Sequence, residues 1–267
     1  MKNYHTHTAR CHHAMGTDED YVQVAIQEGY TTLGFSDHAC WHYASKFRPH
    51  IRMLETEFEG YQKSILDLKH TYQDQIEILC GMEAEYFPEY MEWMRNFCIQ
   101  KNIDYLIFGN HYHKSDETGI YYGNCDPSYV PKYFESTLQG LSTGMYSCLA
   151  HPELILLNHF PKWNDTLEEG FHRICKLAKE LDIPLEYNVL GLQKARQMGF
   201  IAYPHPRFWS IASQYKNKAI IGMDAHQPFG LEKELFLQAQ DALAKYDVEI
   251  VDTLKKVDFK QIQGPVL

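Results

Sequence analysis

Two pairs of side chains stand at a spacing that suits metal chemistry. His5 and His7 lie two apart in an extended run near the N-terminus, and Asp224 and His226 repeat that spacing far down the chain. On a strand, residues i and i+2 share a face, so each pair can close on one ion. Further donors, His38, His111, His151 and Glu83, each follow a short apolar run. A lone H-x-H is a weak signal, but H-x-H, D-x-H and four more donors in equivalent positions make a strong one. Imidazoles mixed with carboxylates suit Zn, Mn or Fe rather than Ca or Mg. The candidates exceed the roughly four to six donors of a single ion, so two or three divalent ions are expected, with Glu83 placed to bridge two of them. Ions so held activate water and stabilise developing negative charge, which is the chemistry of a hydrolase.

The elements that must hold these residues can be read from hydrophobic periodicity. Strand-like runs fall at Asn3 to His7, Thr31 to Ser36, Glu77 to Cys80, Tyr105 to Phe108, Tyr146 to Ala150, Pro184 to Tyr187 and Ala219 to Met223. Helical patterns alternate with them. The first has Thr17 as N-cap with Asp20 three residues on, and Gly29 ends it. The second carries Leu54, Phe58, Tyr61, Ile65 and Leu68 on one stripe. Others cover Met91 to Ile99, Tyr129 to Leu141, Leu167 to Leu181, Phe208 to Tyr215 and Leu231 to Tyr246. Seven strand-then-helix units predict an α/β fold with a parallel sheet, and at this length a closed barrel is favoured over an open doubly wound sheet. In such a barrel the C-terminal strand ends converge on one face, where active sites sit. The donors fall at those ends, with Asp37, Glu186 and Asn188 beside them. His50, His70, His159 and His172 fall on helices or loops instead.

Composition narrows the class. The chain has 267 residues with a net charge of -10 and fifteen histidines. An acidic surface argues against a nucleic-acid partner, yet carboxylates neutralised by bound cations still admit a small anionic substrate. Seven cysteines without a C-x-x-C pair argue against a disulfide framework or a zinc ribbon. No apolar run is long enough to span a membrane, and the N-terminus lacks a signal-peptide pattern, so a cytoplasmic location is expected. No linker or repeat breaks the chain, which reads as one domain over 1–267.

Taken together, the motifs resemble the polymerase and histidinol phosphatase (PHP) family of metal phosphoesterases. The matching pieces are His5-Thr6-His7-Thr8, Cys11-His12-His13, Asp37-His38, Gly81-Met82-Glu83, Gly109-Asn110-His111, Ala150-His151-Pro152 and Asp224-Ala225-His226, in the family's order over almost the whole chain. The resemblance implies a distorted seven-stranded (β/α) barrel, TIM-like, with a metal centre, commonly trinuclear, at the C-terminal strand ends. It implies the ligands His5, His7, His13, His38, Glu83, His111, His151, Asp224 and His226, and we take Glu83, Asp224 and His226 as the catalytic core. His13 is chosen over His12, and His111 over His113, on motif spacing.

Leu185-Glu186-Tyr187-Asn188, Arg196, Tyr203-Pro204 and Phe208-Trp209 resemble the histidinol-phosphatase branch. That branch hydrolyses L-histidinol phosphate in histidine biosynthesis. The implied mechanism is attack on phosphorus by a hydroxide bridging two ions. Arg10, Arg196 and Arg207 are candidate phosphate clamps, because a guanidinium fork can take two phosphate oxygens. His42 is a candidate substrate contact. Alternatives are a relative acting on another small phosphate ester or a phosphodiester, a barrel amidohydrolase, and a non-catalytic metal module. The amidohydrolase reading lacks a bridging lysine at a predicted strand end.

Overall fold

The computed structural model describes residues 1–158 and 163–262; His159 lies outside the described residues. Eight strands form a single sheet in chain order. They are β1 (Lys2–Asn3), β2 (Thr32–Phe35), β3 (Glu77–Ala84), β4 (Tyr105–Phe108), β5 (Cys148–Leu149), β6 (Leu185–Asn188), β7 (Lys218–Gly222) and β8 (Glu249–Ile250). Every neighbouring pair is parallel. The helices are α1 (Asp18–Gln27), α2 (Phe58–Thr71), α3 (Met91–Lys101), α4 (Val130–Ser142), α5 (Asp165–Glu180), α6 (Val189–Met198), α7 (Pro206–Tyr215) and α8 (Lys233–Leu243). Among the described residues, no helix is long and apolar enough to cross a membrane.

Local chemistry sets the helix ends. Thr17 and Asp20 form a reciprocal capping box at α1: Thr17 Oγ1 accepts from Asp20 N (3.2 Å) and Asp20 Oδ2 accepts from Thr17 N (2.7 Å). Asn164 and Asn188 cap α5 and α6 by accepting, through their side chains, from Leu167 N and Gly191 N.

The sheet is an α/β sheet curled in the TIM-like sense. Beyond β1 and β7 the two chains meet: Thr6 bridges Ala225 in parallel, His7 N donates to Ala225 O (2.9 Å) and Ala225 N to His5 O (3.2 Å). The expected count of seven strands differs from the observed eight. The extra strand, β8, pairs with β7 at its starting end. The segment after β8 approaches β1, with Lys2 reaching Asp252 (3.6 Å) and Thr253 (2.6 Å). Residues that share no ladder are tied by Asn3, fully buried, whose side chain donates to His5 O (3.1 Å) and Thr6 Oγ1 (2.8 Å) and accepts from Met223 N (3.0 Å). β1 is shorter than the predicted Asn3 to His7, and beyond it pairing continues only as the isolated Thr6–Ala225 bridge and the Ser36 N to Thr6 O bond (2.8 Å).

The inside of the curl is filled. Tyr4, Leu79, Tyr105, Ile107, Cys148, Ala150, Ile220 and Leu254 form one buried cluster. The Tyr105 hydroxyl lies 2.7 Å from the Tyr4 carbonyl and 3.1 Å from that of Phe35. Its ring fits because positions 34 and 81 are glycines, where a Cβ would overlap it. A second, larger cluster joins the outer sheet face to the helices. The C-terminal strand ends carry a dense group of buried polar side chains, His5, His7, His38, Glu83, His111, His151 and Asp224 among them.

Candidate metal centre

The Glu83 carboxylate is the hub of those ends. Its Oε1 is 2.9 Å from His151 Nε2 and 3.2 Å from His111 Nε2. Its Oε2 is 3.1 Å from His38 Nδ1, 3.4 Å from His7 Nε2 and 3.5 Å from His5 Nε2. Position 109, at the end of the neighbouring β4, must be glycine, since a Cβ there would overlap Glu83 Oε1. Asp224 Oδ1 lies 3.3 Å from His7 Nε2 and 3.4 Å from His5 Nε2. Asp224 and His151 both hold left-handed backbone conformations, at φ +50° and +29°. Strain of this kind persists only where the surroundings impose it, and it gathers at functional sites.

Outer partners fix which ring nitrogen faces inward. His5 Nδ1 pairs with Glu186 Oε1 (2.6 Å) and His111 Nδ1 with Glu85 Oε1 (3.0 Å). His13 Nδ1 donates to Cys11 O (2.6 Å) and His226 Nδ1 to Asp224 O (2.9 Å). Each of these rings therefore turns Nε2 to the centre. His13 Nε2 meets His226 Nε2 at 3.0 Å, and His5 Nε2 meets His7 Nε2 at 3.2 Å. Two lone pairs that close repel unless a proton or a cation sits between them. Burial pushes His226 and His38 down to about 3, so both are neutral donors of a lone pair. Burial also pushes His5 down, but Glu186, Asp224 and Glu83 outweigh it and hold its pKa well above the ordinary value. Conversely, burial raises Glu83, and His111, His5 and His38 hold it well below the carboxylate range. The carboxylates demand positive charge at this spot. Buried His151 Nδ1 has no hydrogen-bond partner among the described residues, and His7 Nδ1, His38 Nδ1 and Glu83 Oε2 meet only near neighbours that are poorly aligned for a hydrogen bond. Triads such as His5–His7–Asp224, His5–Glu83–His151 and His7–His38–His226 converge closely enough to share an ion. This donor set fits a cluster of divalent cations.

The site opens into a cleft of about 380 Å³ lined by His7, His13, His38, Glu83, His111, His151, Asp224 and His226. With buried His5, all nine expected ligands lie together. His12 is exposed and ends the 3₁₀ turn after Thr8 at φ +64°, and His113 turns to the Tyr122 hydroxyl (3.0 Å).

The expected substrate contacts lie elsewhere. Arg10 is drawn to Asp18 (2.8 Å) over the Tyr61 ring. Arg196 donates to Gln238 (2.9 Å) on the outer surface. Arg207 pairs with Glu168 (2.9 Å) and lies on Trp163. His42 pairs with Glu55 (2.6 Å), exposed, and stacks on Trp93. Each of the four side chains meets a partner outside the cleft.

Other residues reach the site, Tyr203 of the Tyr203-Pro204 stretch among them. Tyr112, Tyr121 and Tyr203 give the cleft an aromatic wall, and Lys194 lines its rim. Fully buried Arg52 grips Glu85 with Nη2 (2.6 Å) and Nη1 (2.9 Å) and donates to Asp116 (3.0 Å). Glu85 in turn holds His111, and Trp41 Nε1 donates to it (3.0 Å).

Residues 3–190, which carry seven of these nine side chains, match the PHP domain. The chain belongs to the PHP domain family. This PHP protein is 26% identical over 239 residues to a protein of Deinococcus radiodurans named probable histidinol-phosphatase, covering 84% of this chain and 85% of that one. It is 24% identical over 263 residues to the histidinol-phosphatase of Bacillus subtilis, covering 88% and 97%. Among solved structures, the histidinol phosphate phosphatase of Lactococcus lactis, complexed with Zn, L-histidinol and phosphate, matches with a TM-score of 0.72 at 16% identity, covering 96% of this chain and 98% of that one. At that identity the likeness speaks for the TIM-like fold.

Proposed function

We propose that this PHP protein is a metal-dependent phosphomonoesterase that hydrolyses L-histidinol phosphate to L-histidinol and orthophosphate, as a cytoplasmic enzyme of histidine biosynthesis. The observation that carries the reading is the Glu83 carboxylate with five imidazoles around its two oxygens. That arrangement suits a carboxylate bridging two ions. We assign His5, His7, His13, His38, Glu83, His111, His151, Asp224 and His226 as ligands of two or three ions, Zn, Mn or Fe. The substrate is carried by the names of the two relatives. We read β1–β7 as the barrel proper within a single domain over 1–267, and β8 as an appended edge.

When bound, the ions lower the pKa of water and offset charge on the phosphoryl oxygens. The chain's own side chains prepare the place. Glu186 and Glu85 hold His5 and His111 so that Nε2 faces inward. Asn188 donates to Glu186 Oε2 (2.9 Å) and Asp224 Oδ2 (3.0 Å), locking both carboxylates. Ile51, Leu154 and Leu190 join the tyrosines in an apolar wall that restricts water and receives the alcohol portion of the ester.

The test is phosphate release from L-histidinol phosphate, beside an aryl phosphate and a phosphodiester, by metal-analysed protein and by His5→Ala. We expect preferred turnover of L-histidinol phosphate, abolished by the substitution. Preference for the diester, or full activity in His5→Ala, would overturn the proposal.

A further inference from the structure

A phosphate monoester carries a dianion into a cleft whose own ionisable walls are imidazoles and carboxylates. Fixed positive charge is scarce there. Arg10, Arg196 and Arg207 are each engaged outside it. Among the described residues, Lys194 is the one lysine or arginine that lines the cleft.

Its placement follows from how α6 is anchored. Asn188, the N-cap of α6, accepts from Gly191 N (2.7 Å) while its amide grips Glu186 and Asp224 at the floor of the site. The helix therefore starts directly on Asp224, one of the proposed ligands, and on Glu186, which holds His5. Gly191 lets it lie against Tyr203, because a Cβ at that position would overlap the Tyr203 ring. Residues four apart share a helix face, so Leu190 and Lys194 both turn to the cleft. Leu190 extends the apolar wall, and Lys194 stands one turn further out, exposed at the rim.

Its ammonium is also free of internal partners, unlike Lys2, Lys101, Lys132 and Lys218, which each meet a carboxylate. No hydrogen bond or ion pair engages the Lys194 ammonium among the described residues. An unpaired ammonium on a flexible stem, above a centre that demands anions once its ions are bound, is a ready partner for a phosphoryl oxygen.

We propose that Lys194 is the phosphate-binding cation of this cleft, a role that rests on the phosphomonoesterase reading above. It acts as a single mobile point charge rather than a bidentate clamp. Phosphate recognition should then be sensitive to salt.

The test compares wild type, Lys194→Met and Lys194→Arg, each with its metal content counted. Orthophosphate binding is measured by calorimetry, and KM and kcat are measured at low and high salt. Losing one charge-assisted contact should weaken orthophosphate about tenfold in Lys194→Met, with KM raised by a larger factor than kcat falls. The salt dependence of KM should flatten, Lys194→Arg should retain most of the affinity, and metal content should hold. Orthophosphate affinity in Lys194→Met equal to wild type, at equal metal content, would overturn the proposal. Because orthophosphate binding needs no turnover, the two readings fail separately. A protein that hydrolyses no ester, yet loses phosphate affinity in Lys194→Met, would refute the enzymatic reading and support the anion site.

Discussion

His13 Nε2 faces His226 Nε2 across 3.0 Å, while each ring donates its Nδ1 hydrogen to a backbone carbonyl. Main-chain carbonyls thus aim both Nε2 atoms at one point, with His226 also stacked on His7 and His13 on His38. Replacing His226 by Ala should remove about one metal equivalent, with the fold retained. Elemental analysis of purified protein, beside a far-UV spectrum, checks this. An unchanged metal count would show that the pair holds no ion.

Metal uptake should release protons. In the metal-free chain, burial lowers the His111 pKa, but Glu83 and Glu85 outweigh it and bring it up to about 9. The imidazole therefore carries a proton at neutral pH, and an ion must displace it. Metal affinity should fall as pH falls below that value, because protons compete for the same lone pair. Adding Zn to stripped protein in weakly buffered solution at pH 7 should acidify it, which a pH-stat reads directly.

Gly109→Ala places a methyl group where Glu83 Oε1 lies. The strand can remain, but the Glu83 carboxylate must move. Displacing a catalytic group by about an ångström costs roughly a hundredfold in rate. We expect such a loss together with reduced metal content, and a thermal midpoint close to that of the metal-free wild type. Full activity would show that Glu83 does not need its present position.

Arg52 is fully buried between Glu85 and Asp116. Removing one partner of a buried ion pair leaves uncompensated charge, at a cost of about 3–5 kcal/mol. Arg52→Met should lower stability by that order in denaturant unfolding. A change below about 1 kcal/mol would mean that water reaches these carboxylates.

Glu85→Gln keeps the shape but removes the charge that buried Arg52 grips, so it should cost stability as well as weaken the hold on His111 Nδ1. Outer partners of metal-binding histidines typically govern about 10–100-fold in metal affinity. Competition with a chromophoric chelator measures it. Unaltered affinity would assign Glu85 to stability alone.

The alternation of strands and helices was legible because the apolar runs are short and capped by clear signals, Thr17 with Asp20 among them. The donors were legible because strand ends converge in any such sheet. α6 was not, since Gly191 interrupts its pattern directly after β6. Nor was β8, two exposed residues with no apolar alternation. The substrate contacts failed on side-chain direction. Lys194 and Arg196 are two residues apart, which on a helix places them on opposed faces, and only Lys194 meets the cleft. Arg52 was invisible because Glu85 and Asp116 lie 33 and 64 residues away in the chain. Pairing at that range is set by tertiary packing and leaves no local mark.

The central claim, phosphoester hydrolysis by metal ions at Glu83 and its histidines, is most directly tested by orthophosphate release from L-histidinol phosphate before chelation, after it, and after Zn or Mn is restored. The account predicts turnover that disappears with the ions and returns with them in wild type, but does not return in Glu83→Gln. Turnover that survives complete metal removal, or a fully metallated protein that releases no phosphate from any monoester, would contradict it.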